Sequence, residues 1–390
     1  MNYVTCIDLF CGAGGLAHGL QKEGINVVAG VDIAESCRYP FEFNNFAKFI
    51  KKDVSEFSAD QLNHLYGKSE IKVLAGCAPC QPFSTYSQRY DVLNSPRWGL
   101  LYQFDRLIKE IRPDLVTMEN VPTVAKHEVF NDFVASIREQ GYQVHQEIID
   151  CSMYGLPQAR IRMVVLASRL GPIEIVSPDR TISRTVRDAI GELPPITNGD
   201  GYYDDVLHKA SKLSRLNVER IRASRPGGSW RDWPDHLIAA CHRKETGRSF
   251  SGVYGRMEWD RPSPTLTTQF YGFGNGRFGH PDQERAISLR EGAILQGFPI
   301  SYSLVPEGAP IHFKTLGRMI GNAVPVTLGE VIGRSINRHL GEEFLAQPCK
   351  KEEDQSGQRT QAFRDFTSVK EWRSTCSETS TKPTYQSFAF

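Results

Sequence analysis

Short apolar runs alternate with amphipathic stretches through the first 170 residues of this 390-residue chain. Such alternation of strand and helix is typical of an α/β fold, in which helices cover a mostly parallel sheet. A helix is predicted over residues 100–111, where apolar side chains recur at helical spacing before Arg112-Pro113 ends it. The predicted strands are residues 5–10, 27–32, 72–75, 115–119, 143–151 and 162–167.

The pattern changes at about residue 172, and Gly, Pro, Arg and Trp are frequent from there to about residue 310. We interpret this part as a smaller, loop-rich second lobe, because a single core stops growing at roughly 250 to 300 residues. A helix predicted over residues 325–340 would pack back on the first lobe. The residues after 346 are rich in Ser, Thr, Lys and Glu, which predicts a disordered tail.

The overall composition excludes some classes of protein. A net charge of +1 excludes a basic coat over the whole molecule, so contact with nucleic acid would need a local cluster of Lys and Arg. No apolar run approaches the roughly 18 residues that a membrane span needs. The nine cysteines lack the spacing of a disulfide scaffold and predict free thiols. We therefore expect a soluble, cytoplasmic protein with no membrane partner.

A glycine-rich turn, Asp-Leu-Phe-Cys-Gly-Ala-Gly-Gly, occupies residues 8–15 between the first strand and a helix predicted over residues 16–22. Small residues allow the backbone to approach a ligand at the helix N-terminus. Asp32 ends the next strand, where its carboxylate can accept hydrogen bonds from ribose hydroxyls. The turn therefore fits an adenosine-bearing cofactor, but by itself it does not separate NAD from S-adenosylmethionine.

The most informative stretch is residues 76–84, Gly-Cys-Ala-Pro-Cys-Gln-Pro-Phe-Ser, which follows a predicted buried strand. Cys77 and Cys80 form a C-x-x-C pair, which could be half of a zinc site, a redox pair or two small buried residues. A zinc site needs about two further ligands. Because the sequence has no second C-x-x-C and no matching pair of histidines, we expect no metal.

Acidic and basic side chains lie at the ends of two further predicted strands. Glu119 ends a strand of the same sheet, where burial would raise its pKa and let it donate a proton beside a Cys80 thiolate. Arg160 and Arg162 alternate in Gln-Ala-Arg-Ile-Arg, so both can point toward that site. The alternative is that both arginines are solvated surface charges.

In this order the motifs resemble those of the DNA cytosine-5 methyltransferases of bacterial restriction-modification systems, over residues 1 to about 340. That family has a DLF-x-G-x-GG turn, a PCQ loop, an ENV strand, a QxRxR segment, a variable recognition region and a GN-x-V segment. Residues 261–268 also resemble the segment that supports the recognition region. Cys77-Ala78 departs from the Pro or Gly that often precedes PCQ. The five motifs are residues 8–15, 79–81, 119–121, 158–162 and 321–324.

The resemblance implies a Rossmann-like, S-adenosylmethionine-dependent methyltransferase sheet with a smaller, loop-rich target-recognition lobe. Residues 1–185 would form the catalytic and cofactor-binding domain, completed by residues 311–345. Residues 186–310 would form the target-recognition domain and hinge, and residues 346–390 the disordered tail.

The resemblance also implies a mechanism. The target cytosine must be flipped out of the duplex before a side chain can reach its ring. Cys80, as the thiolate, would attack carbon 6, while protonated Glu119 holds ring nitrogen 3 as carbon 5 takes the methyl group. Arg160 and Arg162 would steady the base, its phosphate or the Cys80 loop, with Arg162 the stronger candidate.

For S-adenosyl-L-methionine, matching to the family suggests three groups of contacts. One surrounds the methionine part, one binds the ribose, and one lies near the adenine or completes the pocket. Asp32 and Asp53 could instead be helix caps or surface acids. The cofactor-binding residues are expected to be Phe10, Gly12, Ala13, Gly14, Gly15, Asp32, Ile33, Asp53, Val54, Pro79, Leu101, Asn322 and Val324.

Residues 208–259 hold eleven Lys and Arg against five Asp and Glu, a local excess of +6 in a chain that nets +1. Such a cluster can contact phosphates, and Trp230, Trp233 and Tyr254 within it could offer stacking surface. A solvated basic face is the alternative. Which bases are read does not follow from the sequence. The residues expected to contact DNA are Gln81, Ser84, Arg231, Arg256 and Thr267.

Double-stranded DNA is therefore the expected substrate of a monomeric, bacterial, nucleoid-associated enzyme. A cognate restriction endonuclease could act on the same site without direct contact. A transfer-RNA cytosine-5 methyltransferase and an inactive, sequence-specific DNA-binding protein are the alternatives. An NAD oxidoreductase would leave the PCQ and ENV segments unexplained.

Overall fold

A computed structural model describes residues 4–79, 99–179 and 183–341 of the chain. Within these residues the main sheet has seven strands, in the order β3-β2-β1-β4-β5-β7-β6. Strands β1 to β5 run parallel, and β7 is inserted antiparallel between β5 and the edge strand β6. The strands are β1 Val4–Leu9, β2 Asn26–Asp32, β3 Lys48–Lys51, β4 Ile71–Gly76, β5 Leu115–Asn120, β6 Gln143–Asp150 and β7 Ile161–Ser168.

Helices cover both faces of this sheet. One face packs against α1 and α11, and the other against α3, α4 and α5, so that each face has its own apolar core. The predicted α/β class is confirmed, whereas β3 was not predicted because it is short and both of its ends are exposed. The helices are α1 Gly15–Lys22, α2 Arg38–Asn45, α3 Ala59–Tyr66, α4 Gly99–Ile111, α5 Glu128–Glu139, α6 Val186–Ile190, α7 Arg215–Arg222, α8 Ala240–Arg243, α9 Leu289–Leu295, α10 Phe313–Asn322 and α11 Val326–Leu340.

The C-terminal helix closes the fold against the first helix, as the apolar spacing of residues 325–340 predicts. A Cβ atom added to Gly15 would collide with the carbonyl oxygen of Val324, and one added to Gly19 would collide with that of Val326. Side chains at these two positions would push the helices apart. The glycines of α1 therefore allow the backbone of residues 324–326 to pack directly on it.

The second lobe contains short helices, the two-stranded sheet of β8 (Gly201–Tyr202) and β9 (Asp205–Lys209), and a small apolar core. Trp230 and Trp233 are buried in this core, and their ring N–H groups donate to Phe250 O and Ser224 Oγ, both at 2.8 Å. The prediction that these two indoles form a stacking surface for DNA is therefore wrong. They stabilise a lobe that has little regular structure.

A buried ion pair also stabilises this lobe. Arg285 is fully buried and donates through Nη1 and Nη2 to the two carboxylate oxygens of Glu291, each at 2.7 Å. Burial alone would raise the pKa of Glu291, but the charge and hydrogen bonds of Arg285 outweigh it and lower this pKa to about 2. Ser288 caps α9 through its hydroxyl and accepts the backbone N–H of Glu291.

Across the three described ranges, no helix has both the length and the apolar character that a membrane span requires.

Candidate active site

The first parallel strands bring the predicted motifs to one edge of the sheet. Leu9 pairs with Gly76, and Gly76 pairs with Met118, so the residues that follow β1, β4 and β5 emerge side by side. The backbone N–H of Cys77 donates to Leu9 O at 3.3 Å. Asn120 Nδ2 donates to Ala78 O at 3.1 Å. The glycine turn, the root of the Cys80 loop and the end of the Glu119 strand therefore lie together.

Glu119 is buried, with 4% of its surface exposed, and both of its carboxylate oxygens are occupied. Arg162 Nε lies 2.6 Å from Oε1, and Cys77 Sγ lies 2.7 Å from Oε2. A guanidinium cation and a thiol from two different strand ends thus hold the carboxyl group. The protonation of Glu119 in the reaction remains a prediction.

The proposed nucleophile Cys80 lies outside the described residues, as do Gln81 and Ser84. The described chain reaches Pro79, which is partly buried. Ala78 O accepts a hydrogen bond from the side chain of Asn120. The chain that leads to Cys80 therefore passes close to the end of the strand that carries Glu119.

Arg160 has a different environment from Arg162. Its guanidinium is buried and donates to Leu266 O at 3.3 Å and to Gly321 O at 3.2 Å. A third bond joins it to Ala323 O at 3.4 Å. The prediction that Arg160 steadies the base or its phosphate is wrong, because these donors link the sheet to two later chain segments, and the prediction that it steadies the Cys80 loop stays a prediction. Arg160 therefore connects the sheet to the backbone at residues 266, 321 and 323.

Gln158 makes further hydrogen bonds to later parts of the chain. Its amide N–H groups donate to Leu295 O and Gln296 Oε1, and its oxygen accepts the backbone N–H of Leu266 at 3.0 Å. Ala159 N also donates to Ser263 O at 2.8 Å. Residues 261–268, which resemble a segment supporting the recognition region, therefore pair directly with the Gln-Ala-Arg-Ile-Arg segment.

The glycine turn has the backbone that a ligand-binding turn requires. Phe10, Gly12 and Gly14 have φ values of 58°, 53° and 88°, all in the left-handed region. A Cβ added to Gly12 would meet nothing within 4 Å, so open space lies over this part of the turn. Ala13 is buried and its carbonyl accepts a hydrogen bond from Tyr302 OH at 2.6 Å.

Asp32 faces this turn from the end of β2. One of its carboxylate oxygens accepts the N–H of Gly12 at 3.0 Å, and the other accepts the N–H of Ala34 at 2.8 Å. Burial raises the pKa of Asp32, although these N–H groups oppose the shift. Each oxygen retains a second lone pair for a ribose hydroxyl. Beside it, 67% of the Ile33 surface is exposed.

Five other predicted cofactor contacts differ in their burial. Asp53 accepts the N–H and hydroxyl of Ser55, which lower its pKa, so it acts as a cap of residues 54–56. Val54 and Leu101 are buried in the apolar core of the α3–α4 face. Asn322 is exposed at the end of α10. Two residues later, the backbone of Val324 packs against Gly15.

Comparison with known proteins shows the family of this chain. Residues 4–338 match the C-5 cytosine-specific DNA methylase family. The chain belongs to this family. It is 52% identical to the Type II methylase M.HgiDII of Herpetosiphon aurantiacus, over 86% of this chain and 95% of that protein. It is 30% identical to the Type II methyltransferase M.Eco47II of Escherichia coli, over 86% of this chain and 79% of that protein.

Two comparisons set limits on the likeness. DNA (cytosine-5)-methyltransferase 1A of Oryza sativa subsp. japonica is 26% identical, and the match covers 87% of this chain but 28% of that longer protein. A prophage-encoded methyltransferase of E. coli superposes with a TM-score of 0.66 at 22% identity, over 86% of this chain and 99% of that one. The second likeness concerns the fold.

As a family member, this methylase transfers a methyl group to carbon 5 of cytosine in DNA, with S-adenosyl-L-methionine as its cofactor. The open space over Gly12 and the Asp32 carboxylate beside it are compatible with a bound ribose. Among the described residues no group of three His, Cys, Asp or Glu is arranged to hold a metal ion.

The predicted DNA contacts of the methylase differ in how exposed they are. Arg231 is exposed, and one of its guanidinium nitrogens donates to Arg248 O at 2.6 Å. Thr267 is also exposed. Arg256 is buried and donates to Ile221 O at 3.0 Å and His280 O at 2.9 Å. The prediction that Arg256 contacts DNA is wrong, because its guanidinium is bound to backbone carbonyls inside the second lobe.

A buried hydrogen-bond network under the glycine turn could not be predicted from the sequence. Tyr302 OH donates to Ala13 O and accepts from Asn45 Nδ2 at 3.2 Å. Asn45 Oδ1 is in turn 3.2 Å from His18 Nδ1. The positions are distant in sequence, and the signal that could have found Tyr302 is an aromatic residue three positions after Gly-Phe-Pro at residues 297–299.

Proposed function

We propose that this DNA methylase modifies a cytosine within one specific double-stranded sequence, as the protective enzyme of a restriction-modification system. The support is its 52% identity with a Type II methylase over nearly the whole length of both proteins. A cognate endonuclease would act on the same sequence without contacting the methylase. We propose further that the enzyme is a monomer in the bacterial cytoplasm, associated with the nucleoid.

Catalysis is proposed to depend on Cys80 and Glu119, and one observation carries this assignment. Glu119 is held by Arg162 beside the root of the loop that bears Cys80. The Cys80 thiolate adds to carbon 6 of the extruded cytosine. Protonated Glu119 donates to ring nitrogen 3, which stabilises electron density moving toward carbon 5.

Carbon 5 then carries a new methyl group and its original proton. S-adenosyl-L-methionine supplies that methyl group when bound. Loss of the proton from carbon 5 to water, and breakage of the bond between sulfur and carbon 6, restore both the aromatic ring and the Cys80 thiolate. Glu119 recovers its proton as nitrogen 3 becomes an acceptor again.

The cofactor is proposed to lie along the carboxyl ends of β1 and β2. Phe10, Ala13 and the glycines at 12, 14 and 15 would face its methionine part. Asp32 would bind the ribose, and Ile33 with residues 53–54 would lie near the adenine. Pro79, Leu101, Asn322 and Val324 would complete the pocket, with Leu101 and Val54 shaping it from within the core.

Residues 186–310 are proposed as the target-recognition domain and hinge, and residues 1–185 with 311–345 as the catalytic domain. Exposed basic residues between Arg215 and Arg248 would contact phosphates, since the buried Arg220 and Arg256 are excluded from the surface. Thr267 and Arg231 remain candidate DNA contacts, together with Gln81 and Ser84 on the Cys80 loop. Residues 346–390 are proposed to be a disordered tail.

Bisulfite sequencing of DNA from cells that express this chain tests the proposal. The expected result is protection of one cytosine in one short sequence, and none in cells that express Cys80→Ala. Methylation scattered without a sequence preference would contradict the restriction-modification role. Transfer of labelled methyl to transfer RNA and none to duplex DNA would contradict the choice of substrate.

A further inference from the structure

Cys77 contacts the catalytic carboxyl group from the residue directly after β4. Its backbone N–H donates to Leu9 O at 3.3 Å, and its sulfur lies 2.7 Å from Glu119 Oε2. The residue is half-buried. Its thiol is therefore in contact with a carboxyl group that the proposed mechanism requires to meet the target base.

The two partners of Glu119 are unequal. Arg162 is a charged guanidinium whose Nε lies 2.6 Å from Oε1, so the two groups form a nearly buried ion pair. A thiol is a weak donor. Displacing Cys77 from Oε2 therefore costs less free energy than displacing Arg162 from Oε1, so Oε2 is the oxygen that an incoming base can take over.

A weak donor suits this position better than an empty one. A buried carboxylate oxygen without a donor would lose hydrogen-bonding free energy, and the side chain would be free to rotate away. A hydrogen bond from Cys77 keeps Oε2 at the sheet edge until the base replaces it. The position is one at which this chain departs from the Pro or Gly that often precedes PCQ.

We propose that Cys77 is a positioning residue, which holds Oε2 of Glu119 in place in the free enzyme and yields it to the flipped cytosine. The inference rests on the proposed role of Glu119. No covalent step is involved, because the thiol keeps its proton and changes only its hydrogen-bond partner.

Two substitutions separate this role from simple packing. Cys77→Ala removes the donor and should lower kcat about 5-fold, with the affinities for cofactor and DNA nearly unchanged. It should also move the pH profile of kcat/KM toward higher pH, because kcat/KM reports the free enzyme, in which a carboxylate that has lost a donor takes up a proton more readily. Cys77→Ser restores a donor and should return both kcat and the pH profile most of the way.

A double-mutant cycle tests whether the effect passes through Glu119. Single-turnover methylation is measured for the full-length wild type, Cys77→Ala, Glu119→Gln and the double variant. The effect of Cys77→Ala should disappear in the Glu119→Gln background, because the two changes disrupt one interaction. Cys241→Ser, at an exposed cysteine of the second lobe, is the matched control and should behave as wild type.

A spectroscopic measurement follows the thiol directly. The S–H stretching bands of the Cys80→Ala protein are compared with those of the Cys77→Ala/Cys80→Ala protein. The band that is missing from the second protein belongs to Cys77. That band should shift when duplex DNA containing the target cytosine binds, and stay in place with duplex lacking the target.

The outcomes are distinct. Full activity of Glu119→Gln would contradict the proposed function itself. A strongly slowed Glu119→Gln together with a Cys77→Ala enzyme of wild-type rate and pH profile would overturn the inference about Cys77 alone. An S–H band that does not move when target DNA binds would also overturn that inference, and this measurement remains decisive if Cys77→Ser folds poorly.

Discussion

Arg162 Nε and Glu119 Oε1 are 2.6 Å apart, and the two side chains come from neighbouring antiparallel strands. The contact orients the carboxyl group toward the edge of the sheet where the glycine turn and the Cys80 loop begin. Because the pair is nearly buried, loss of the arginine would leave Glu119 as an uncompensated acid in a low-dielectric site.

Replacing Arg162 should therefore damage chemistry more than cofactor binding. Arg162→Ala is expected to lower kcat by about 100-fold or more, and Arg162→Lys by about 10-fold, since lysine keeps the charge without the planar donor. Turnover at saturating DNA measures this, and the melting temperature detects loss of the fold. An Arg162→Ala enzyme within about 2-fold of wild type would contradict the assigned role.

Removing the hydroxyl of Tyr302 should weaken cofactor binding specifically. Tyr302→Phe deletes one buried hydrogen bond to Ala13 O, and the expected effect is an increase of about 5-fold in the Kd for S-adenosylmethionine. Calorimetry measures the change. Tyr66→Phe is the control, since its hydroxyl donates to Val73 O at 2.8 Å in the core of the opposite face. Equal effects of both variants on cofactor affinity would refute a role for Tyr302 in the turn.

The second lobe should lose stability in mild acid because of His280. Burial lowers the pKa of His280 from 6.5 to about 4, so the folded form stays neutral where the unfolded chain binds a proton. Its contribution to stability is complete above pH 6.5 and is lost as the pH falls toward 4, by up to about 3 kcal/mol. The contribution of Glu291, whose pKa is lowered from 4.5 to about 2, is complete above pH 4.5 and is lost only below it.

Urea unfolding at about pH 7.5, 6 and 5 tests this. His280→Asn keeps an acceptor for the backbone N–H groups of Asp282 and Gln283 and should flatten the decline in stability. His236→Asn, at an exposed histidine of the same lobe, should leave the decline unchanged. An unaltered slope in His280→Asn would assign the acid sensitivity to other groups.

Substitutions of two arginines in the basic cluster should have different effects on DNA binding and stability. Arg231→Ala should weaken duplex binding across sequences and reduce the slope of log K against log salt by about 1, as expected for one lost phosphate contact. Arg256→Met should lower the melting temperature and leave the salt slope unchanged, because its guanidinium binds carbonyls. A reduced salt slope in Arg256→Met would restore it as a DNA contact.

The sequence predicts the parts of this fold that depend on local pattern. Strand and helix periodicities located six strands and the last helix, and the order of five motifs identified the family. Residues such as Glu119 and Asp32 were found because they sit at the ends of predicted strands, where parallel topology brings side chains together.

The errors arise where the partner is distant in sequence. Arg160 and Arg162 look equivalent in the sequence, yet the guanidinium of Arg160 meets carbonyls at 266, 321 and 323. Arg256 and Trp230 were expected at the surface because composition does not distinguish a buried cation or indole with hydrogen-bond partners from an exposed one. Only the packing of the second lobe reveals that difference.

Mass spectrometry of the methylase with a duplex carrying 5-fluorocytosine at its target position tests the central claim most directly. Fluorine cannot leave carbon 5 as a proton does, so the methylated adduct should persist. We predict a covalent link between DNA and the peptide that contains Cys80, dependent on S-adenosylmethionine and absent in Cys80→Ala. Methyl transfer to normal DNA without such an adduct, or an adduct at another residue, would contradict the account.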